Sequence, residues 1–247
     1  MGHGLRFYPE TFMIQFDIIT IFPDFFKCFT SESLIKRAQE KGLIKINVHN
    51  LRDFSPKPHQ VVDDRPFGGG FGMVLKIEPF FKAVQAVKLK GKNKKSKVIF
   101  FTPRARKFNQ KKAFEFSKLD QIIFLCGRYE GIDERVAKYL ADEKISIGNY
   151  VLLGGELPAM AVIEAVSRLA PGVIGIDKPG ILEQRISKEK GFIEYAQYTR
   201  PEVFKPSRRA RRIVAGKPKS WRAPKVLLSG NHKEIEKWRK KHGKVID

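Results

Sequence analysis

The sequence predicts an α/β fold, a parallel sheet with helices on both faces. Two observations carry this. Apolar runs such as Ile14 to Phe22 (IQFDIITIF), Val98 to Phe101 and Gln121 to Cys126 are nearly continuous, as expected of strands buried on both faces. They alternate with segments of helical periodicity, the pattern of βα units. The chain has 247 residues, 42% of them hydrophobic, enough for one sizeable core and a smaller second unit.

Taken in order, the first strand ends at Pro23-Asp24. A helix follows with Leu34, Ile35 and Ala38 on one face, Thr30 or Ser31 as N-cap, and Gly42 as its stop. Leu43 to His49 alternates like a second strand. Pro56 to Gly72 is irregular and polar, centred on DDRPFGGGFG. Ile77 to Leu89 reads as a helix and Val98 to Phe101 as a strand ending at Thr102-Pro103. Lys107 to Lys118 is the next helix, Gln121 to Cys126 a strand ending at Gly127, and Tyr129 to Ala141 a helix.

The stretch Ile145 to Met160 (ISIGNYVLLGGELPAM) starts like a strand, breaks at Gly148-Asn149 and Gly154-Gly155, and enters a helix through Glu156-Leu157-Pro158. Proline is tolerated in a first helical turn because its missing N–H has no partner there. A strand, a glycine loop and a helix start can hold a ligand on backbone groups, or can simply be a tight turn. Met160, Val162, Ile163, Val166 and Leu169 recur at helical spacing as core or subunit-packing residues, and Pro171-Gly172 ends this helix.

Composition changes after Val173. Residues 174–191, which include GIDKPGILEQRISKEKG, read as an exposed linker or mobile lid. Residues 192–247 read as a small, basic, helical domain containing an amphipathic helix from His232 to Lys241. Residues 13–173 form the main α/β domain, and residues 1–12 form an N-terminal extension set aside from fold reasoning.

Charge narrows the function. Forty-eight Lys and Arg against 26 Asp and Glu give +22, which opposes compactness unless a polyanion screens it. Nucleic acid is the first candidate and an anionic membrane surface the second; a solvated basic face is the alternative. Lys88 to Lys97 holds six lysines. Lys205 to Lys225 holds nine basic residues and no acid, with Arg208, Arg209, Arg211 and Arg212 nearly contiguous and Trp221 alongside. Arginines near an aromatic ring suit phosphate and base contacts. No run is long enough for a membrane helix, and five scattered histidines show no metal-ligand spacing. Cys28 and Cys126 both sit among apolar neighbours and read as buried thiols in a reducing cytosol.

Three strand ends carry unusual residues: Thr102-Pro103, Gly127 to Gly131, and Ile147 to Tyr150 with the following glycines. Open parallel sheets bind ligands at such ends. One pocket built from them offers amides, tyrosines and a carboxylate but no P-loop lysine, which suits a nucleoside-like ligand. Glu130 can accept from ribose hydroxyls or an ammonium, or can be an acid favoured by a helix N-terminus.

GRYEGIDER (127–135) and SIGNYVLLGGELPAM (146–160) resemble the signature loops of the TrmD family, the bacterial tRNA (guanine-N1)-methyltransferases. So do VDDRPFGGGFGM (62–73), SRLAPGVIG (167–175), YTRPEVF (198–204), LLSGNH (227–232) and Trp238-Arg239. The resemblance implies a SPOUT-like fold with a C-terminal trefoil knot, S-adenosylmethionine as methyl donor, and a cytoplasmic homodimer with active sites at the subunit interface. It implies the tRNA anticodon stem-loop as partner, with guanosine-37 methylated at N1. By position, Pro103, Gly127, Tyr129, Glu130, Ile147, Gly148, Asn149, Tyr150, Val151, Leu152, Gly154, Gly155 and Pro158 would line the donor pocket, and Arg168 would support catalysis.

The family places its general base in the linker, ahead of a serine-phenylalanine pair. Here the linker reads LEQRISKEKG (182–191), with Glu183 the first alignment, Glu189 the second and Glu194 a third acid. Phe71 stands where the family usually has proline, and KPSRRARRIVAGKPKSW (205–221) is longer than the usual connection. Asp63 and Arg65 are candidates for nucleobase or dimer contacts, or for an internal salt bridge. Alternative readings are a non-catalytic RNA-binding protein of the same fold and a related ribosomal RNA methyltransferase.

Overall fold

A computed structural model describes residues 13–90, 95–174, 186–187, 191–207 and 219–246. The chain divides into two compact units, Met1–Leu182 and Glu183–Asp247. The N-terminal extension and the linker acids Glu183 and Glu189 lie outside the described residues, as do 208–218 of the basic insert.

The first unit opens with β1 (Ile14–Thr20), α1 (Lys27–Ser31) and α2 (Ser33–Glu40). Thr30 and Ser31 do not cap α2. They end α1, where their hydroxyls donate to the carbonyls of Phe26 (2.9 Å) and Cys28 (3.3 Å). Gly42 does stop α2: its left-handed φ of 68° lets Gly42 N–H reach Gln39 O and Leu43 N–H reach Ala38 O, each 2.9 Å. Next come β2 (Ile44–Asn50), the two-residue strands β3 (Asp63–Asp64) and β4 (Val74–Leu75), and α3 (Ile77–Lys90).

Then follow β5 (Ser96–Phe101), α4 (Gln110–Phe116), β6 (Gln121–Leu125), α5 (Glu134–Tyr139), β7 (Glu143–Ile145) and α6 (Glu156–Ser167). Three of these depart from the periodicity. α4 starts at Gln110 because Asn109 accepts from Lys112 N–H, while Phe108 N–H is held by Ser146 O at 2.7 Å. α5 starts five residues later than predicted, because Tyr129 (φ 60°) and Gly131 (φ 129°) take left-handed backbone and Asp133 caps the helix. β7 ends at Ile145, so Ile147 to Val151 belong to a loop rather than to a strand.

β1, β2, β5, β6 and β7 form one all-parallel sheet in the order β2-β1-β6-β5-β7. Cores fill both faces. Ile14, Phe16 and Ile18 pack with α2, α4 and α6, while Ile19 and Ile21 pack with α3 and α5. This explains why the strands lack alternation.

Asp17 is the exception inside the sheet. It is buried, and its carboxylate accepts from Asn47 (2.9 Å), Gln15 (2.7 Å) and Gln121 (2.7 Å) and meets His49 Nε2 at 2.8 Å. Burial alone would raise its pKa; the hydrogen bonds from His49, Gln121, Gln15 and Asn47 outweigh it and hold the group below its ordinary value. Cys28, expected to be buried, is exposed because α1 turns it outward; Cys126 is buried.

The second unit holds β8 (Ile186–Ser187), β9 (Gly191–Glu194), β10 (Val203–Phe204), β11 (Trp221–Arg222), α7 (Lys225–Leu228), α8 (His232–His242) and β12 (Lys244–Ile246). Its helices are accompanied by a β12-β9-β8 antiparallel sheet and a β10-β11 ladder, which the helical reading did not anticipate. Trp238 of α8 meets Tyr198 edge-on at 6.2 Å and stacks on His242 at 4.4 Å.

Asp17→Ala would leave buried amide donors without an acceptor, and should lower stability in urea by about 2–4 kcal/mol at pH 7. A folded pKa below the unfolded value stabilises at pH above the ordinary 3.8 and is lost as pH falls through the folded value. The wild type should therefore lose more stability than Asp17→Ala on acidification below about pH 4.

Candidate active site

The three strand-end turns meet in one open pocket of about 410 Å³. The turn after β5 brings Thr102 and Pro103, pinned because Thr102 N–H donates to Ile145 O at 3.0 Å. The turn after β6 brings Gly127, Tyr129 and Glu130. The loop after β7 brings Ile147, Gly148, Tyr150, Val151 and Leu152, and the start of α6 adds Gly154, Gly155 and Pro158. Of the residues predicted for the pocket, Asn149 is the one not on its wall.

Backbone bonds join the turns. Gly155 N–H donates to Gly127 O at 3.0 Å, and Gly131 N–H to Arg128 O at 3.0 Å. Ser146 Oγ donates to Gly148 O (2.8 Å) and accepts from Gly148 N–H (3.2 Å), and Tyr150 Oη donates to Ile147 O (3.2 Å). A Cβ on Gly155 would stand 2.7 Å from Cys126 Cα and 3.1 Å from Gly127 N, both backbone atoms that cannot swing aside. At Gly148 a Cβ would run into the Tyr150 ring. Gly155 is therefore needed for close packing, whereas a side chain at Gly148 would displace the exposed Tyr150 ring.

From the pocket wall at Arg128 into the core at Glu156 runs an ion pair that the sequence did not disclose. Glu156, fully buried at the start of α6, accepts from Thr20 Oγ1 at 2.7 Å, and its Oε2 lies 2.9 Å from Arg128 Nε. The Arg128 guanidinium sits over Phe22 (5.0 Å) and Phe25 (4.9 Å). The clue was available only in part: Arg128 and Glu156 flank the two glycine motifs, but nothing in the spacing pairs them.

Arg168 is not on the pocket wall. It caps the far end of α6, twelve residues from Glu156, which is about 18 Å along the axis. The backbone of Glu194 lies in β9, and its side chain lies outside the described residues. At the corner holding Asp63 and Arg65, the ion pair is between Asp64 and Lys76 (3.5 Å), while Asp63 pairs with Leu75 in the β3–β4 ladder. Among the described residues no three His, Cys, Asp or Glu side chains gather as metal ligands, and no helix is long and apolar enough to cross a membrane.

Comparison with known proteins agrees with this arrangement. The family model described as tRNA (Guanine-1)-methyltransferase TrmD matches residues 14–245. A tRNA (guanine-N(1)-)-methyltransferase of Dictyoglomus turgidum is 48% identical over 229 residues, covering 93% of this chain and 84% of the relative. One from Citrifermentans bemidjiense is 46% identical over 228 residues, covering 92% and 84%. The crystal structure of the tRNA (m1G37) methyltransferase from Aquifex aeolicus superposes with a TM-score of 0.70 at 38% identity, covering 93% of this chain and 88% of that one. The protein is thus a methyltransferase on a parallel α/β scaffold. It belongs to the TrmD family of tRNA (guanine-N1)-methyltransferases.

Two outcomes are expected. Gly155→Ala should cost about 1–3 kcal/mol in thermal or urea unfolding, as overpacking against backbone does. Burial, then the nearby Glu156 carboxylate, pushes the Cys126 thiol well above its ordinary value. An aromatic disulfide reagent at pH 8 should therefore label Cys28 in the native protein and Cys126 only after unfolding.

Proposed function

We propose that this chain transfers a methyl group from S-adenosylmethionine to N1 of guanosine-37 in tRNA, next to the anticodon, acting as a cytoplasmic homodimer. The observation that carries the reading is the single cup made by the three strand-end turns, in a chain of this family. The cup suits the donor. Its volume of about 410 Å³ falls in the range of small-molecule sites. Gly155 lets the start of α6 close against the turn after β6, and the walls offer amides and carbonyls that recognise a nucleoside without charge. Tyr129 and Tyr150 supply ring surface, and Glu130 a carboxylate for ribose hydroxyls or the ammonium. When bound, S-adenosylmethionine supplies an electrophilic methyl group.

The chain's own residues do the rest. Guanine N1 carries a proton at neutral pH, so a base must take it as the new bond forms; Glu183 is the first candidate and Glu189 the second. Negative charge then moves toward O6, where the Arg168 guanidinium would stabilise it. Arg168 lies at the opposite end of α6 from the pocket of its own chain, which supports its acting from a second copy. An apolar rim supports the same assembly: Val151 is 83% and Leu153 87% exposed, with Leu157, Phe22 and Phe25 also open. The basic insert and α8, whose last turn carries Arg239, Lys240, Lys241 and His242, would hold phosphates and position the stem-loop, leaving sequence readout to the guanine pocket. The trefoil knot and a chiefly helical role for residues 192–247 belong to this reading, as do the domain limits at 173 and 191.

Labelled methyl groups should appear on N1 of guanosine-37 when the protein, S-adenosylmethionine and unmodified tRNA are incubated and the nucleosides mapped; another modified atom or none would refute the reading. Arg168→Ala should lower kcat by roughly a hundred- to a thousand-fold with donor affinity kept. Mixed dimers of Arg168→Ala chains with pocket-blocked Gly148→Trp chains should regain activity. Glu183→Gln or Glu189→Gln should slow transfer at neutral pH, with the deficit shrinking at alkaline pH as N1 loses its proton unaided; wild-type rates in both variants would place the base elsewhere.

A further inference from the structure

The hairpin beside the pocket ends in two phenylalanines that the fold does not use. Phe67 is 100% and Phe71 97% exposed, and among the described residues neither ring meets another ring or a cation. Fully exposed pairs of large aromatic side chains are the informative exception on a protein surface. The hairpin is built to hold them out. β3 and β4 pair at its base, Lys76 N–H closes on Val62 O at 2.8 Å, and Gly68, Gly69, Gly70 and Gly72 all take positive φ between the rings and beside them.

The same hairpin is stitched to the pocket rim. Glu130 N–H donates to Met73 O (3.1 Å), Leu75 N–H to Gly131 O (3.0 Å) and Asp133 N–H to Leu75 O (2.9 Å). Glu130 leans over Gly72 so closely that a Cβ there would stand 2.7 Å from its Cγ. The rings therefore stand on a short, anchored arm next to the pocket.

We propose that Phe67 and Phe71 form a stacking platform for the RNA base adjacent to the methylated guanosine. This rests on the reading of the protein as a tRNA (guanine-N1)-methyltransferase. Exposing guanine N1 to a methyl donor requires the base to leave its stack, and its neighbour then loses one stacking face. Phenyl rings replace that face without reading sequence, as in single-strand binders. A second copy of the chain is a poorer occupant: two side chains on a hairpin tip offer far less than the ~800 Å² per partner of a stable interface. The net charge of +22 draws the polyanion in, and the rings then grip what the charge cannot distinguish.

The test uses anticodon stem-loops with fluorescent 2-aminopurine at the position 5′ or 3′ of the target guanosine, and the full-length protein. Wild type should quench one of the two probes. Phe71→Ala and Phe67→Ala should bind RNA about tenfold more weakly and lose the quench. Phe71→Tyr should restore both, with donor affinity and oligomeric state constant throughout. Alanine variants that bind and quench like wild type would overturn the proposal. Alanine variants that dissociate into monomers would do so too, by making the arm a subunit contact. Quenching is read without methyl transfer, so a wild type that quenches but modifies another atom would refute the functional reading and leave this one standing.

Discussion

The site depends on one buried ion pair. Glu156 cannot sit at zero exposure as an anion without partners, and it has two: Thr20 at the end of β1 and Arg128 in the turn after β6. Breaking such a pair by removing one member leaves an uncompensated buried charge, at a cost of about 3–5 kcal/mol. The pair therefore fixes three segments at once: the first strand, the central turn and the start of α6. Its position at the N-terminus of α6 adds the favourable field of the helix, and the rings of Phe22 and Phe25 shield the guanidinium.

With the frame fixed, the pocket is made largely of main chain. Gly155 lies against Cys126 and Gly127, and its N–H closes the gap between two loops. Tyr129 accepts a left-handed backbone, a strain commonly found where a side chain must be aimed. A family defined by its loops, rather than by a conspicuous constellation of acids and histidines, follows from this construction. Amides and carbonyls are present in every residue, so only the residue types that permit the close approach are distinctive.

That explains what could be read in advance. The parallel sheet was legible because strands buried on both faces lose alternation, and Ile14 to Thr20 and Gln121 to Leu125 show it plainly. The pocket turns were legible because glycine and proline mark where backbone comes near a ligand. Two helix starts were not: Asn109 and Asp133 cap α4 and α5 after segments whose apolar spacing still looks helical, whereas the starts of α3, α6 and α8 fall where the sequence put them. The Arg128–Glu156 pair was hidden because 28 residues of sequence separate its members and only the fold returns them to contact. Asp17 was hidden for the same reason, since its partners come from three strands.

Thr20, Thr102, Arg128, Ser146 and Glu156 come from the beginning, middle and end of the first unit. A piece of the first unit that lacks its beginning, middle or end therefore lacks part of the cup. Parallel pairing across such separations is slow to form, because loop closure precedes its reward. Competence to capture a ligand thus arrives only when the last helix docks. Any ligand held there stabilises the whole unit by mass action, so occupancy and completed folding become one equilibrium.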